Sequence, residues 1–440
     1  MNAPAPDRRL GVALAAVTLV ALALRAWGLG DQPVIGDDLL SGQSARNFVQ
    51  FGWPGPTTWH HPRLRDLLVY SSTAVLGANA WGLKIWGVLI GTLCVPATGW
   101  LVWTVAASRT GAVLAAAIVA IDPLHVHFSR QAANDVHVAA FPVAAVVALL
   151  VYAQRRRPWI LVVAGLLLGL GLASKWPAAF PVGAAAVMAL PAVVAGAGSR
   201  RERALELAFE IAALVLLPAT VYVLTFWPWF GRGHDLAEFV RFQHAMGTTA
   251  ATVSGYAGTG PAGYVGYQIG AWRWLLQPVW WVDAVAVAPS RTGEPGGVLF
   301  LAGVGNPITW LATLPAVCWA AWRWVRARDR GALLLLVVWA AAYLPFVVVP
   351  RPIYTNAAVN VVPFWAALVG LAAAHLWERS RALVAGWAAV AVVVTLLLWF
   401  PLAGRRFAPS NALVRAIVPP AALDPSSHPA TTFLGIDAGP

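Results

Sequence analysis

The sequence predicts an all-α polytopic membrane protein, and its composition, its long apolar runs and the placement of its arginines carry that prediction. Of 440 residues, 59% are hydrophobic and 11% charged, with a mean hydropathy of +0.69, a balance far from that of soluble domains. Apolar runs of about 20 residues, enough to cross a hydrocarbon core of about 30 Å, recur along the chain. Arginines gather between these runs on alternate sides, as membrane topology demands. The net charge of +12 therefore reports orientation, and no nucleic-acid partner is expected.

Taken in order, spans are predicted at 10–30, 82–106, 111–128, 136–154, 158–174, 177–197, 207–228, 298–322, 331–349, 354–376 and 382–401, about eleven in all. The first follows Arg8 and Arg9 like a signal peptide, but it has no small-residue cleavage site and is closed by Arg25 and Trp27, so it is expected to stay. The apolar segment 67–81 is short and is expected to lie at the interface. A cytoplasmic N-terminus puts Arg109, Arg155, Arg156, Arg157, Arg200, Arg201, Arg203, Arg323, Arg326, Arg328, Arg330, Arg379 and Arg381 on the cytoplasmic side.

The C-terminus then lies outside. Residues 1–401 form one transmembrane domain, with a first outer loop at 31–81, a corner at 129–135, a turn at Lys175, a long outer loop at 229–297 and a turn at 350–353. The tail 402–440, rich in Pro and Ala, is expected to be loosely ordered and outside. Trp272, Trp274, Trp280 and Trp281 suggest an interfacial helix in the long loop. Cys94 and Cys318 lie within apolar runs without metal or disulfide spacing and read as packing residues.

Chemistry collects on the outer face. It offers the acids Asp37, Asp38, Asp66 and Asp135, the bases Arg130, Lys175 and Arg351, and the imidazoles His60, His61, His125, His127 and His137. Lys175 interrupts two apolar segments, and the only other lysine is Lys84. An ionisable group at such a place is costly unless paired or hydrated. A carboxylate to deprotonate a hydroxyl, with cations to hold a phosphate, fits a transferase with a phosphate leaving group. The rival reading is a transporter or flippase, against which the chain shows no internal repeat. No metal ligand is assigned, although the adjacent histidines and acids leave a divalent cation open.

At these residues the chain resembles the protein O-mannosyltransferase family and its relatives with the C-type glycosyltransferase fold. The motifs are Asp37-Asp38, His61-Pro62-Arg63-Leu64, Ser129-Arg130 with Asp135 and Phe141, the glycine-rich span ending Ser174-Lys175-Trp176, Gly305-Asn306-Pro307, and Pro350-Arg351 with Tyr354 and Pro363. The resemblance implies an inverting transfer of a sugar, mannose or another hexose, from a polyprenyl-phosphate carrier on the outer face of a bacterial inner membrane. Asp37 would be the base. Asp38, His61, Arg130, Asp135, Lys175, Arg351 and Tyr354 would bind substrate. The acceptor would be a protein Ser/Thr hydroxyl, a glycolipid or a cell-wall glycan. The chain departs from the family at Asp38, where the family has Glu, and at Arg63, where it has Pro. The 229–297 loop is too short for the inserted domain of the eukaryotic enzymes.

Overall fold

The computed structural model describes residues 8–32, 34, 37–56, 58–196, 198–252, 270–276, 280–287, 297–349, 353, 355–402 and 405–407. Its helices are α1 (Arg8–Ala26), α2 (Asp37–Phe51), α3 (Leu64–Leu76), α4 (Ala80–Ala106), α5 (Arg109–Ile121), α6 (Pro123–Ser129), α7 (Asp135–Arg155), α8 (Pro158–Leu172), α9 (Ala179–Ala195), α10 (Arg200–Ile211), α11 (Leu217–Leu224), α12 (Trp227–Phe230), α13 (Leu236–Thr252), α14 (Pro307–Leu311), α15 (Thr313–Ala327), α16 (Arg330–Val348), α17 (Val362–Trp377) and α18 (Arg381–Leu402). Three strands, β1 (Trp280–Val287), β2 (Gly297–Val304) and β3 (Arg405–Phe407), form one antiparallel sheet in the order β1-β2-β3.

Among the described residues, eight helices are long and apolar enough to cross a membrane, or nine if the pair α5 and α6, bent by 61°, is one broken span. Small residues let them approach closely. On α4, a methyl at Gly87 would stand 2.8 Å from the Gln131 carbonyl, and one at Gly91 would strike the Ser129 hydroxyl. This four-residue glycine spacing is the usual device for close helix contact in lipid. It seats the corner at 129–131 directly on α4.

The bend between α5 and α6 has a local cause. Pro123 has no N–H to give the Val119 carbonyl four residues back, so that carbonyl needs another donor. Arg25, fully buried at the end of α1, supplies it: its guanidinium donates to Val119 at 3.1 Å, to Ala120 at 3.2 Å and to the Ser129 hydroxyl at 3.2 Å. In return, Arg130 donates to the carbonyls of Leu24, Arg25 and Trp27 at 3.2, 3.0 and 2.7 Å, closing the C-terminal end of α1. Asp122 caps α6 through the His125 amide at 2.9 Å and accepts from the Trp310 indole at 2.7 Å. Asn306 of the Gly-Asn-Pro motif caps α14 and donates to the Ala391 carbonyl and Thr395 hydroxyl of α18 at 2.8 and 2.9 Å. That motif is thus a joint between helices.

Four expectations change. The fold is not all-α, because β1, β2 and β3 are present. The span predicted at 298–322 begins in strand β2, and only α14 and α15 are helical; β-branched and aromatic residues in an apolar run suit a strand as well as a helix. The four tryptophans do not share a helix: Trp272 and Trp274 lie on a 3-10 turn, Ala271–Leu275, while Trp280 and Trp281 open β1. Within the tail, residues 405–407 pair with β2, and 408–440 lie outside the described residues. The short apolar segment at 67–81 falls mostly in α3, Leu64–Leu76, with its last residues opening α4 at Ala80.

Candidate active site

Asp37 and Asp38 open α2, where carboxylates favour the positive end of the helix dipole. One turn geometry sends them opposite ways. Asp38 is 2% exposed and locked: its carboxylate pairs with the buried Lys84 at 3.0 Å and accepts the Ala132 amide at 2.8 Å. The Ser41 hydroxyl donates to the Ala132 carbonyl at 2.7 Å, so α2 is pinned to the 129–135 corner by both backbone atoms of one residue. Asp37 instead keeps its face to solvent.

The first loop reaches the site through Arg63. Its buried guanidinium pairs with Asp66 at 2.7 Å and donates to the carbonyls of Thr58 at 2.8 Å, Trp59 at 2.9 Å and His61. Where the family resemblance leads one to expect Pro, Arg63 therefore gathers the loop's own carbonyls. Arg65 shares Asp66 at 2.9 Å. The Leu64 amide donates to the Ala173 carbonyl at 2.9 Å, which docks the start of α3 beside Lys175. Lys175, partly exposed, donates to Asp135 at 2.7 Å, and Asp135 also accepts from Asn356 at 3.2 Å. Asp135 begins α7, so the loop, α2, α7 and the turn after α8 meet here.

Electrostatics follow from this packing. The protein around Asp37 strips most of its hydration although one face stays open, and this burial pushes its carboxyl above the ordinary carboxylate value. Arg65 pulls the value down, Asp38 and Asp135 push it up, and Lys175 pulls it down. Burial lowers the His61 imidazole well below its ordinary value, and Lys175, His60, Arg65 and Arg63 add to the effect. His61 is neutral at pH 7 and can accept or donate one hydrogen bond. An open carboxylate with a raised pKa, close enough to feel Lys175 and Arg65, is equipped to take a proton near an anion.

Among the residues predicted for the site, Asp37, Asp38, His61, Asp135 and Lys175 are brought together. Arg130 is 1% exposed; its Nη1 donates to the carbonyls ending α1, while its Nε and Nη2 are buried without a partner. Asp135 pairs with Lys175. Arg351 and Tyr354 lie outside the described residues. Arg65, Lys84 and Asn356 were missed. Arg65 was legible as a second arginine in the His-Pro-Arg-Leu-Arg run of an outer loop, whereas Lys84 sits inside an apolar run and Asn356 follows the turn at 350–353. Among the described residues, no three His, Cys, Asp or Glu side chains converge to hold a metal.

Residues 66–231 match the family model of dolichyl-phosphate-mannose-protein mannosyltransferase. The polyprenol-phosphate-mannose–protein mannosyltransferase of Corynebacterium glutamicum is 23% identical over 414 residues, an alignment that covers 80% of this chain and 78% of that relative. The S. cerevisiae protein O-mannosyltransferase complex bound to its sugar donor superposes with a TM-score of 0.73 at 10% identity, over 91% of each chain. The Archaeoglobus fulgidus oligosaccharyltransferase superposes with a TM-score of 0.54 at 15% identity over 89% of this chain, which spans only 54% of that protein's length. At such identities the superpositions speak for the fold. Over residues 66–231 the chain is similar to the dolichyl-phosphate-mannose-protein mannosyltransferase family, and it shares the fold of the solved S. cerevisiae protein O-mannosyltransferase.

Proposed function

We propose that this membrane enzyme moves mannose from a polyprenyl-phosphate carrier to a hydroxyl of a protein acceptor. The observation that carries the reading is the Asp37 carboxylate, open to solvent with a raised pKa beside Lys175 and Arg65, in a chain whose relative is a polyprenol-phosphate-mannose–protein mannosyltransferase. Asp37 removes the proton from the acceptor hydroxyl as its oxygen attacks the anomeric carbon. The bond from that carbon to the carrier phosphate breaks on the opposite side, and the configuration inverts. The phosphate leaves with its electron pair, held by Lys175 and Arg65, with Arg351 and Tyr354 assigned to the donor as well. His61 and Asp135 orient the substrates, and Asp38 acts as a positioning residue that sets the angle of α2.

The full count of eleven crossings adds the short α8 and the α14–α15 unit to the nine counted above. Arginine placement supports an outward-facing site. Arg109, Arg155 to Arg157 and the Arg323 to Arg330 group follow α4, α7 and α15, and the preference of arginines for the cytoplasmic side favours Asp37 on the outer face of a bacterial inner membrane with the N-terminus inside. Transfer of radiolabel from polyprenyl-phosphate-mannose by purified protein tests the reading. Label in the protein fraction with wild type and none with Asp37→Asn is the expected result. Label in the lipid or glycan fraction would change the acceptor, and equal label with both proteins would remove Asp37 from the mechanism.

A further inference from the structure

A cavity of about 630 Å³ lies away from Asp37. It lies at the far end of α4, walled by the turn at 104–108 with Arg323, Asp329, His375 and Glu378. Lys84, which holds Asp38, and Thr104 are separated along α4 by roughly 30 Å at about 1.5 Å per residue. A second cavity of about 410 Å³, lined mainly by apolar side chains of α15, α17 and α18, adjoins it. Trp319 and His375 line both. The two form a polar chamber opening onto an apolar groove, each of a size that holds small ligands.

The polar chamber has unused capacity of both signs. Asp329 is satisfied: it accepts the amides of Gly331 and Ala332 and pairs with Arg323 at 2.9 Å. Glu378 stands 3.9 Å from His375 with its side chain 77% exposed, so its carboxylate is accessible to a ligand cation. The C-terminal turns of α4 and α17 also end here, and the negative ends of helix dipoles favour a cation. Where the chamber meets the groove, the Trp319 indole N–H is buried without a hydrogen-bond partner, and Arg379 lines the groove. Those donors suit a phosphate.

We infer that this joined cavity binds one membrane phospholipid with a zwitterionic ammonium headgroup, its ammonium at Glu378, its phosphate at Trp319 and Arg379, and an acyl chain in the groove between α15, α17 and α18. An anionic lipid lacking the ammonium would leave Glu378 unpaired, and a free phosphate would leave the groove empty. The site lies about a membrane's thickness from Asp37, so it holds a structural lipid in the leaflet opposite the transfer chemistry.

The test is native mass spectrometry of the full chain, delipidated in detergent and titrated with phosphatidylethanolamine or phosphatidylglycerol. Phosphatidylethanolamine should bind one per chain, about two- to fivefold more tightly than phosphatidylglycerol, the effect expected of one solvent-exposed ion pair. Glu378→Gln should remove the preference, and Ala373→Phe, which fills the groove, should remove binding of both lipids. Circular dichroism and thermal unfolding confirm that each variant is folded. Equal affinity for the two lipids in the wild type, a preference for phosphatidylglycerol, or undiminished binding by folded Ala373→Phe would overturn the assignment.

Discussion

Two polar clusters are set into this apolar molecule, and they differ in whether their hydrogen-bonding capacity is already used. At the joint of α1, α5 and α6, Arg25, Arg130, Asp122 and Asn306 direct their charges and amides to backbone carbonyls, helix caps and a buried indole. Around Asp37, the carboxylate faces open space and its neighbours Lys175 and Arg65 stand beside it. Both clusters read alike in the sequence, as charges near span ends. Buried polar groups cost free energy unless paired; the joint directs most of its capacity to the protein's own backbone, with Arg130 Nε and Nη2 left buried and unbonded. Exposed Asp37, by contrast, is placed to meet a ligand beside Lys175 and Arg65, which already pair with Asp135 and Asp66.

The sharpest way to break this distinction is Asp37→Asn. Removing the base should lower transfer by about 10² to 10⁴, the usual contribution of general acid–base catalysis, with no change in unfolding temperature. A loss of fold instead would move Asp37 into the structural cluster. Lys175→Ala comes next. Loss of a charged partner worth about 1.5–3 kcal/mol should reduce kcat/KM about 10- to 100-fold, and Lys175→Arg should recover part of it. Full activity in a folded Lys175→Ala protein would show that its bond to Asp135 is its whole role.

Arg130→Ala tests the other cluster. It leaves the carbonyls of Leu24, Arg25 and Trp27 without this donor and should cost about 1–3 kcal/mol of stability, read as a lower unfolding temperature with an unchanged KM for the donor. A raised KM at unchanged stability would return Arg130 to the phosphate. The smallest effect is on pH. The base works when deprotonated, so activity is present above the Asp37 pKa and lost as pH falls through it. Because that pKa is raised, the acid limb of the rate profile should fall above the ordinary carboxylate range. Arg65→Gln removes a cation that holds the pKa down, so the limb should move to higher pH still. A limb that stays in place would remove Arg65 from the field at Asp37.

The aromatic wall beside the site shows how little of its packing could be read in advance. Phe48 of α2, Phe226, Trp229 and α13's Phe239, Phe242 and Met246 form one buried cluster. The Trp176 indole donates to the Tyr222 hydroxyl at 3.2 Å, and that hydroxyl donates to Gln243 at 2.6 Å. α13 falls within the long outer loop, ahead of the tryptophans where the sequence suggested a helix. Its apolar residues at 239, 242 and 246 have helical spacing, but they were too few to resemble a span and had no partner until α2 and α12 came beside them.

What the sequence determined by itself is what depends on local composition and period. The long apolar helices, the alternation of the arginine clusters and the short apolar segment within the first loop are all written in runs of neighbouring residues. Asp37 and Lys175 were legible too, because ionisable groups interrupting apolar sequence stand out. Tertiary structure alone decided which of two adjacent aspartates would be open, since Lys84 reaches Asp38 from 46 positions along the chain. It decided also that Arg130 would close the end of α1, and that β2 would leave its expected span to pair with β1 and β3. Each of those outcomes depends on a partner distant in sequence, and hydropathy carries no record of such partners.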